Sequence, residues 1–174
     1  MQEPRGSLEQ DQYWMDQAIA LAREAFALGE VPIGAVIVKD GRLVGKGYNR
    51  RELDQNALAH AELLAIHEAC QTLGGWRLTG CELYVTLEPC PMCAGAIVQA
   101  RLSRVIYGAA DPKGGYAGSL YNTLADSRLN HQVAWTAGVR QNECEALLKT
   151  FFKALREKKG NKGAHRVENS PGSF

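Results

Sequence analysis

The sequence predicts an α/β fold, a three-layer α/β/α sandwich around a five-stranded mixed sheet, and three observations carry that prediction. A helical apolar stripe opens the chain, two β-branched runs joined by an Asp-Gly turn follow it, and helix-like and strand-like segments then alternate to Arg156. Alternation of that kind covers both faces of a sheet with helices. The 174 residues are 45% hydrophobic and 22% charged, which fits one globular deposit of core, read here as a single domain over 1–174 with its core at about 13–156.

Each element has a local reason. Trp14, Ala18, Leu21, Ala22, Ala25 and Leu28 recur at helical spacing, and Gly29 is placed to stop that first helix. Ile33 to Val38 and Leu43 to Tyr48 read as strands, and the Lys39-Asp40-Gly41-Arg42 connection suits a tight antiparallel hairpin. Ala59 to Leu73 reads as the second helix, ended by Gly74-Gly75, and Leu83 to Thr86 as the third strand. A third helix starts at Pro91, and Arg104 to Tyr107 and Gln132 to Thr136 are strands four and five. Asn142 to Arg156 closes the fold as a helix with Leu147, Leu148, Phe151, Phe152 and Leu155 on its apolar side, and Gly160 to Phe174 reads as a flexible tail.

Composition narrows the function classes. Met1 to Gln12 is polar, without a basic start and apolar run, and no later stretch approaches the roughly 18 apolar residues of a membrane span. The expectation is a cytoplasmic protein with no membrane partner. Five cysteines are an odd count for a disulfide framework, so reduced thiols or metal ligands are the default. Cys70, Cys81 and Cys144 read as small buried hydrophobes. The net charge of +1 predicts no nucleic-acid partner by itself, but Lys149 to Arg166 holds seven Lys or Arg against Glu157 alone, +6 in all, leaving −5 elsewhere. Such an end can neutralise phosphates, and it equally suits a solvated helix face.

His60-Ala61-Glu62 and, further on, Pro89-Cys90-Pro91-Met92-Cys93 form the H-x-E…P-C-x-x-C pattern of zinc-dependent nucleobase deaminases. Pro91 suits the first position of a helix, which makes Cys90 its N-cap and sets Cys93 on the same face. The partial positive charge at that helix start favours thiolate, the form that binds metal. His60 and Glu62 would diverge in mid-helix, but side chains lean toward the N-terminus, so both can meet a target beyond the helix start.

Two thiolates and an imidazole make three ligands, one short of a closed structural site, so a position for water is expected and one zinc per chain. His67 is on the order of 10 Å along the helix from His60, and His131 has no second ligand beside it. Two thiolates also neutralise much of the metal charge, so its water is less acidified and a base is needed. Glu62 can take the water proton, deliver it to a ring nitrogen and protonate the departing amine. A C-x-x-C pair alone would suggest a structural zinc knuckle; the H-x-E element and the flanking prolines argue for catalysis.

Beyond the zinc motifs, the chain carries Val31-Pro32-Ile33-Gly34-Ala35-Val36, Gly47-Tyr48-Asn49, Tyr84 to Ala96, Asp111-Pro112-Lys113-Gly114-Gly115-Tyr116-Ala117-Gly118-Ser119, Asn130-His131 and Phe151-Phe152-Lys153. From about Tyr13 to Arg156 it resembles the bacterial tRNA-specific adenosine deaminases, with the cytidine deaminase-like fold. It departs from that pattern at Ala110, where some relatives carry Arg, and at Gly114-Gly115-Tyr116. The resemblance implies conversion of a wobble adenosine to inosine in a tRNA anticodon stem-loop, by a homodimer with its pocket near the subunit boundary. It also implies that His60, Cys90 and Cys93 hold zinc, that Glu62 shuttles protons and that Asn49 is the pocket asparagine, whose amide suits a purine edge. Asp111, Lys113, Phe152 and Lys153, in the later motifs, are taken as further substrate contacts.

Two other readings share part of this evidence. A deaminase of free cytosine nucleosides or guanine would carry the same zinc motifs, but the basic C-terminal helix and the 111–119 segment count against it. A non-catalytic, zinc-stabilised RNA-binding module would have no need of Glu62.

Overall fold

The structure, a computed structural model, describes residues 6–167. Its elements run α1 (Leu8–Ala27), β1 (Gly34–Lys39), β2 (Arg42–Tyr48), α2 (Ala61–Leu73), β3 (Cys81–Leu87), α3 (Pro91–Gln99), β4 (Arg104–Ala109), a short 3₁₀ turn (Thr123–Ala125), β5 (Ala134–Ala137) and α4 (Gln141–Val167). The strands form one mixed sheet in the order β2-β1-β3-β4-β5. β1 is antiparallel to both β2 and β3, while β3, β4 and β5 are parallel.

Period-two alternation divides the apolar side chains between the faces. Ala35, Ile37, Leu83, Val85, Val105 and Tyr107 face one core with Ala61, Ala65, Ala94 and Ile97 of α2 and α3. Val36, Val38, Tyr84 and Ile106 face the other, with Met15, Ala18 and Ile19 of α1 and Cys144 of α4. The expected three layers are therefore present. Cys81 and Cys144 sit inside these cores and Cys70 packs against the first, as small hydrophobes should.

The hairpin turn forms at Asp40 and Gly41, both at positive φ (50° and 71°), the condition of a type I′ turn. The strand bounds differ from the sequence reading by one or two residues, and three helix bounds differ for an identifiable physical reason. α1 begins at Leu8 because Ser7 and Gln10 complete a capping box, several residues before the apolar stripe. α2 begins at Ala61, because the Ala59 carbonyl and N–H are taken by Arg50 N–H and the Asn56 carbonyl, which holds the chain extended until His60. α4 continues past Arg156 to Val167, through Glu157, Lys158 and Lys159, all good helix formers, so Gly160 does not begin a tail. Residues 168–174 of that expected tail lie outside the described residues.

Topology decides where chemistry can sit. β2, β3 and β4 all point the same way, so Asn49, Glu88 and Asp111 leave the sheet at one edge, and α2 and α3 begin there too. Ligands of open α/β sheets bind outside the carboxyl ends of their strands. Contact between α2 and β2 is close enough to need glycine: a Cβ at Gly45 would lie 2.3 Å from the Ala65 carbonyl oxygen, and one at Gly47 2.7 Å from that of Ala61.

Candidate active site

His60 and Cys90 are the N-caps of α2 and α3, both with extended backbone, and Pro91 opens α3. This placement brings three ligand atoms together: His60 Nδ1 lies 3.7 Å from Cys90 Sγ and 3.5 Å from Cys93 Sγ. Among the described residues, His60, Cys90 and Cys93 are the group of three whose donors fall within 4.8 Å of one another. His67 is exposed on the surface of α2, and His131 is bound to the Leu102 carbonyl at 2.7 Å, so neither joins them.

The donor set fits zinc. Zn–N and Zn–S bonds of about 2.0 and 2.3 Å at a tetrahedral angle separate the two ligand atoms by about 3.5 Å, and the observed 3.5 and 3.7 Å match or slightly exceed that spacing. One nitrogen and two sulfurs leave the fourth position open.

Electrostatics favour the thiolate at Cys90 and lift the acid. Cys90 is pushed down to about 4, chiefly by the hydrogen bond it receives from Cys93, while burial works against it. Cys93 is raised, first by donating that bond and then by burial. His60 is raised, mainly by its hydrogen bond with Cys90. Glu62, 4% exposed, has its carboxyl pushed up to about 7 by burial, against the opposing pull of its own backbone N–H and of His60. A carboxyl held near neutrality in a closed site can both take and return a proton.

His60, Glu62 and Cys90 line a cavity of about 180 Å³. That is smaller than the roughly 300–1,000 Å³ of sites for drug-sized ligands, a space on the scale of one ring system. Val31, Ile33 and Leu87 give apolar walls, and Asn49, Arg51 and Asp111 polar ones. Asn49 is buried with both ends of its amide engaged: Nδ2 donates to the Val31 carbonyl at 3.2 Å and Oδ1 accepts from Arg51 N–H at 3.1 Å. One N–H and one lone pair remain for a ligand. The Asp111 carboxylate accepts from Lys113 and Gly114 N–H groups at 3.1 and 3.0 Å, fixing its loop.

Of the other residues expected to touch substrate, Lys113 is exposed beyond the cavity lining. Phe152 and Lys153 stand exposed on α4, and neither lines the cavity. Phe152 stacks edge-on against Phe151, 5.4 Å between ring centres, and Phe151 against Phe26 at 5.7 Å. Sequence reasoning missed Arg51 and Glu88. A charged residue ending the apolar run Leu83 to Leu87 was the available signal for the latter.

Residues 9–156 match the family model described as MafB19-like deaminase. The chain is 52% identical over 152 residues to the tRNA-specific adenosine deaminase of Bacillus subtilis (strain 168), covering 87% of this chain and 94% of that one. A solved structure from work on A-to-I editing by tRNA deaminases at the wobble position of transfer RNA superposes with a TM-score of 0.75 at 43% identity, covering 78% of this chain and 99% of that one. A guanine deaminase from Nitrosomonas europaea shares the fold, with a TM-score of 0.72 at 24% identity over 86% of this chain and 88% of that one. Identity sustained across nearly the whole length of such relatives, on a fold common to other deaminases, decides the assignment: the chain belongs to the tRNA-specific adenosine deaminases, within the MafB19-like deaminase family.

Proposed function

We propose that this chain hydrolyses the amine at C6 of a wobble adenosine in a tRNA anticodon loop, giving inosine and ammonia. The observation that carries the proposal is the convergence of His60, Cys90 and Cys93 beside the buried carboxyl of Glu62, in a chain of this family. His60, Cys90 and Cys93 would hold a zinc ion, which would bind and partly acidify a water in the open fourth position, with a base still needed because two thiolates offset much of the metal charge. The chain's own residues do the rest. Glu62 accepts a proton from the attacking water, passes it to N1 of the purine, and delivers the second proton to the amine as the C6–N bond breaks, so that water and adenosine balance inosine and ammonia. Val31, Ile33 and Leu87 exclude solvent from the ring, and the remaining N–H and lone pair of Asn49 hold its polar edge.

An adenine within a duplex is stacked and paired, whereas a loop nucleotide can turn into a one-base cavity at little cost. The exposed cations of α4, Lys153 and Arg156 among them, supply a surface for the phosphates of the stem. The same proposal takes the enzyme to be a cytoplasmic homodimer, and among the described residues no helix is long and apolar enough to cross a membrane. Leu53 and Leu58, 46% and 58% exposed on the loop between Asn49 and His60, are what a subunit boundary beside the pocket would cover. The test is sequencing of an anticodon stem-loop transcript after incubation with the zinc-loaded protein, where inosine reads as guanosine. Conversion at the wobble position with inert free adenosine, cytidine and guanine supports the proposal; rapid ammonia release from free guanine or cytidine with an untouched stem-loop overturns it.

A further inference from the structure

Glu88 has no part in holding metal or moving protons, yet it is 2% exposed at the edge of the cavity. Its backbone N–H extends the β3–β4 pairing by bonding the Ala109 carbonyl at 2.8 Å. Its carboxylate then spans a loop: Oε2 accepts from Asp111 N–H at 3.0 Å and Oε1 from Ser119 N–H at 2.9 Å. Both ends of the segment 111–119 are therefore held by one buried side chain. The chain in between passes directly over it, and a Cβ at Gly115 would fall 1.6 Å from Oε2, a position only glycine leaves open. Tyr116 N–H adds a bond to the Pro89 carbonyl at 2.9 Å, so the segment is tied on both sides of the Glu88-Pro89 step that leads into Cys90. Of this segment, Asp111 is the residue that lines the cavity.

We propose that Glu88 is a positioning residue, a latch that holds segment 111–119 against the end of β3 and thereby sets Asp111 as a wall of the base pocket. The proposal rests on the reading of the cavity as the site for a loop adenosine. Its physical basis is acceptor count: two N–H groups need two acceptor oxygens, and only a carboxylate offers both at this spacing. When the latch opens, the wall is lost, and apparent affinity falls by the fraction of molecules in which it remains closed. Bound RNA selects the closed state, so turnover at saturation is little affected.

Glu88→Gln keeps the volume and replaces one acceptor by a donor. Loss of a hydrogen bond to a charged group corresponds to roughly a 10- to 100-fold effect. The KM for the stem-loop should rise by that factor, with kcat within about threefold and zinc content unchanged. Hydrogen exchange of the Asp111 and Ser119 amides should accelerate about tenfold or more. Gly115→Ala displaces the same carboxylate from the loop side and should reproduce the KM effect, and the double variant should be no worse than the stronger single one, since both open one latch. Wild-type KM in either folded variant, or unchanged exchange at both amides in Glu88→Gln, overturns the proposal. Should Glu88→Gln fail to fold, Gly115→Ala decides it alone. A wild-type enzyme inert toward stem-loop RNA would overturn the substrate reading instead, and the exchange measurement would still decide the latch.

Discussion

Replacing Glu62 by Gln removes a group that can carry a proton while leaving the cavity's shape and its three metal donors in place. The side chain is buried, and its carboxyl stands at about 7 because burial lifts it. General acid–base catalysis contributes about 10²- to 10⁴-fold to a rate, which corresponds to about 3–5 kcal/mol of barrier. The proposed mechanism gives both proton transfers to this one carboxyl, so kcat should fall by the upper part of that range with KM changed little. Single-turnover inosine formation, read by sequencing, gives the rate, and metal analysis of the same sample should still find one zinc per chain. A second consequence follows for the metal-free protein. An acid whose folded value exceeds its unfolded one destabilises the fold increasingly as pH rises from the unfolded value toward the folded one. Glu62→Gln should therefore unfold at higher denaturant than the wild type at pH 8 and show no advantage near pH 4, the displacement from 4.5 to about 7 bounding the gain at roughly 3 kcal/mol. Turnover within tenfold of wild type at full zinc occupancy would refute the assignment of Glu62 as the proton carrier.

Other perturbations separate stability, site placement and RNA binding. Arg104, at the opposite end of β4 from the cavity, donates to both oxygens of Asp11 at 3.0 and 2.6 Å in a buried pair. Asp11→Ala leaves that guanidinium with Thr136 Oγ1 at 2.9 Å and the Glu82 carboxylate at 3.8 Å, so it should cost about 1.5–3 kcal/mol in urea unfolding, with kcat per folded molecule unchanged; a loss below about 1 kcal/mol would show the pair to be solvated. Gly45→Ala forces α2 away from β2, since the new Cβ would meet the Ala65 carbonyl at 2.3 Å; zinc affinity and melting temperature should fall together, and an unshifted zinc affinity would disprove that this contact places His60. Lys153→Ala with Arg156→Ala should weaken stem-loop binding and flatten its log–log salt dependence by about one to two units if each cation meets a phosphate; an unchanged slope reassigns both to a solvated face.

Local chemistry was legible in the sequence and long-range pairing was not. The Asp40-Gly41 turn, the Pro91 helix start and the N-cap position of Cys90 follow from rules that act over three or four residues, and the structure has all three. The H-x-E and C-x-x-C elements point to the three donors that the fold brings together, because their spacing is itself the local geometry of a helix start. Sheet order depends on partners far apart in the chain, and no periodicity records that β1 lies between β2 and β3. The same holds for Asp11 with Arg104, 93 positions apart, and for Glu88 with Ser119, 31 apart. α2 starts two residues later than its apolar pattern predicts because Ala59 is spent on hydrogen bonds with Arg50 and Asn56, partners that helix propensity does not see. Phe152 and Lys153 carry a family motif, yet the packing of α4 leaves them outside the one-base cavity, where only the parts of an RNA beyond the reacting base could meet them.

The position of the ligands also explains why the two helices begin as they do. An N-cap side chain ordinarily accepts a first-turn N–H, and forgoing that bond costs about 1 kcal/mol of helix stability. His60 and Cys90 both occupy N-caps and neither makes the bond. The first-turn N–H groups and the positive helix ends are thereby left facing the cavity, each equivalent to about half a positive charge. Partial charges of that size cannot outweigh two full thiolates in attracting a dication, but they do favour the thiolate form of Cys90, which is already low, and any negative charge that develops on the reacting ring. The chain gives up two caps at one sheet edge, and the same edge gains three candidate metal donors, an anion-stabilising field and, through Glu62 in the first turn of α2, the carboxyl proposed to carry protons.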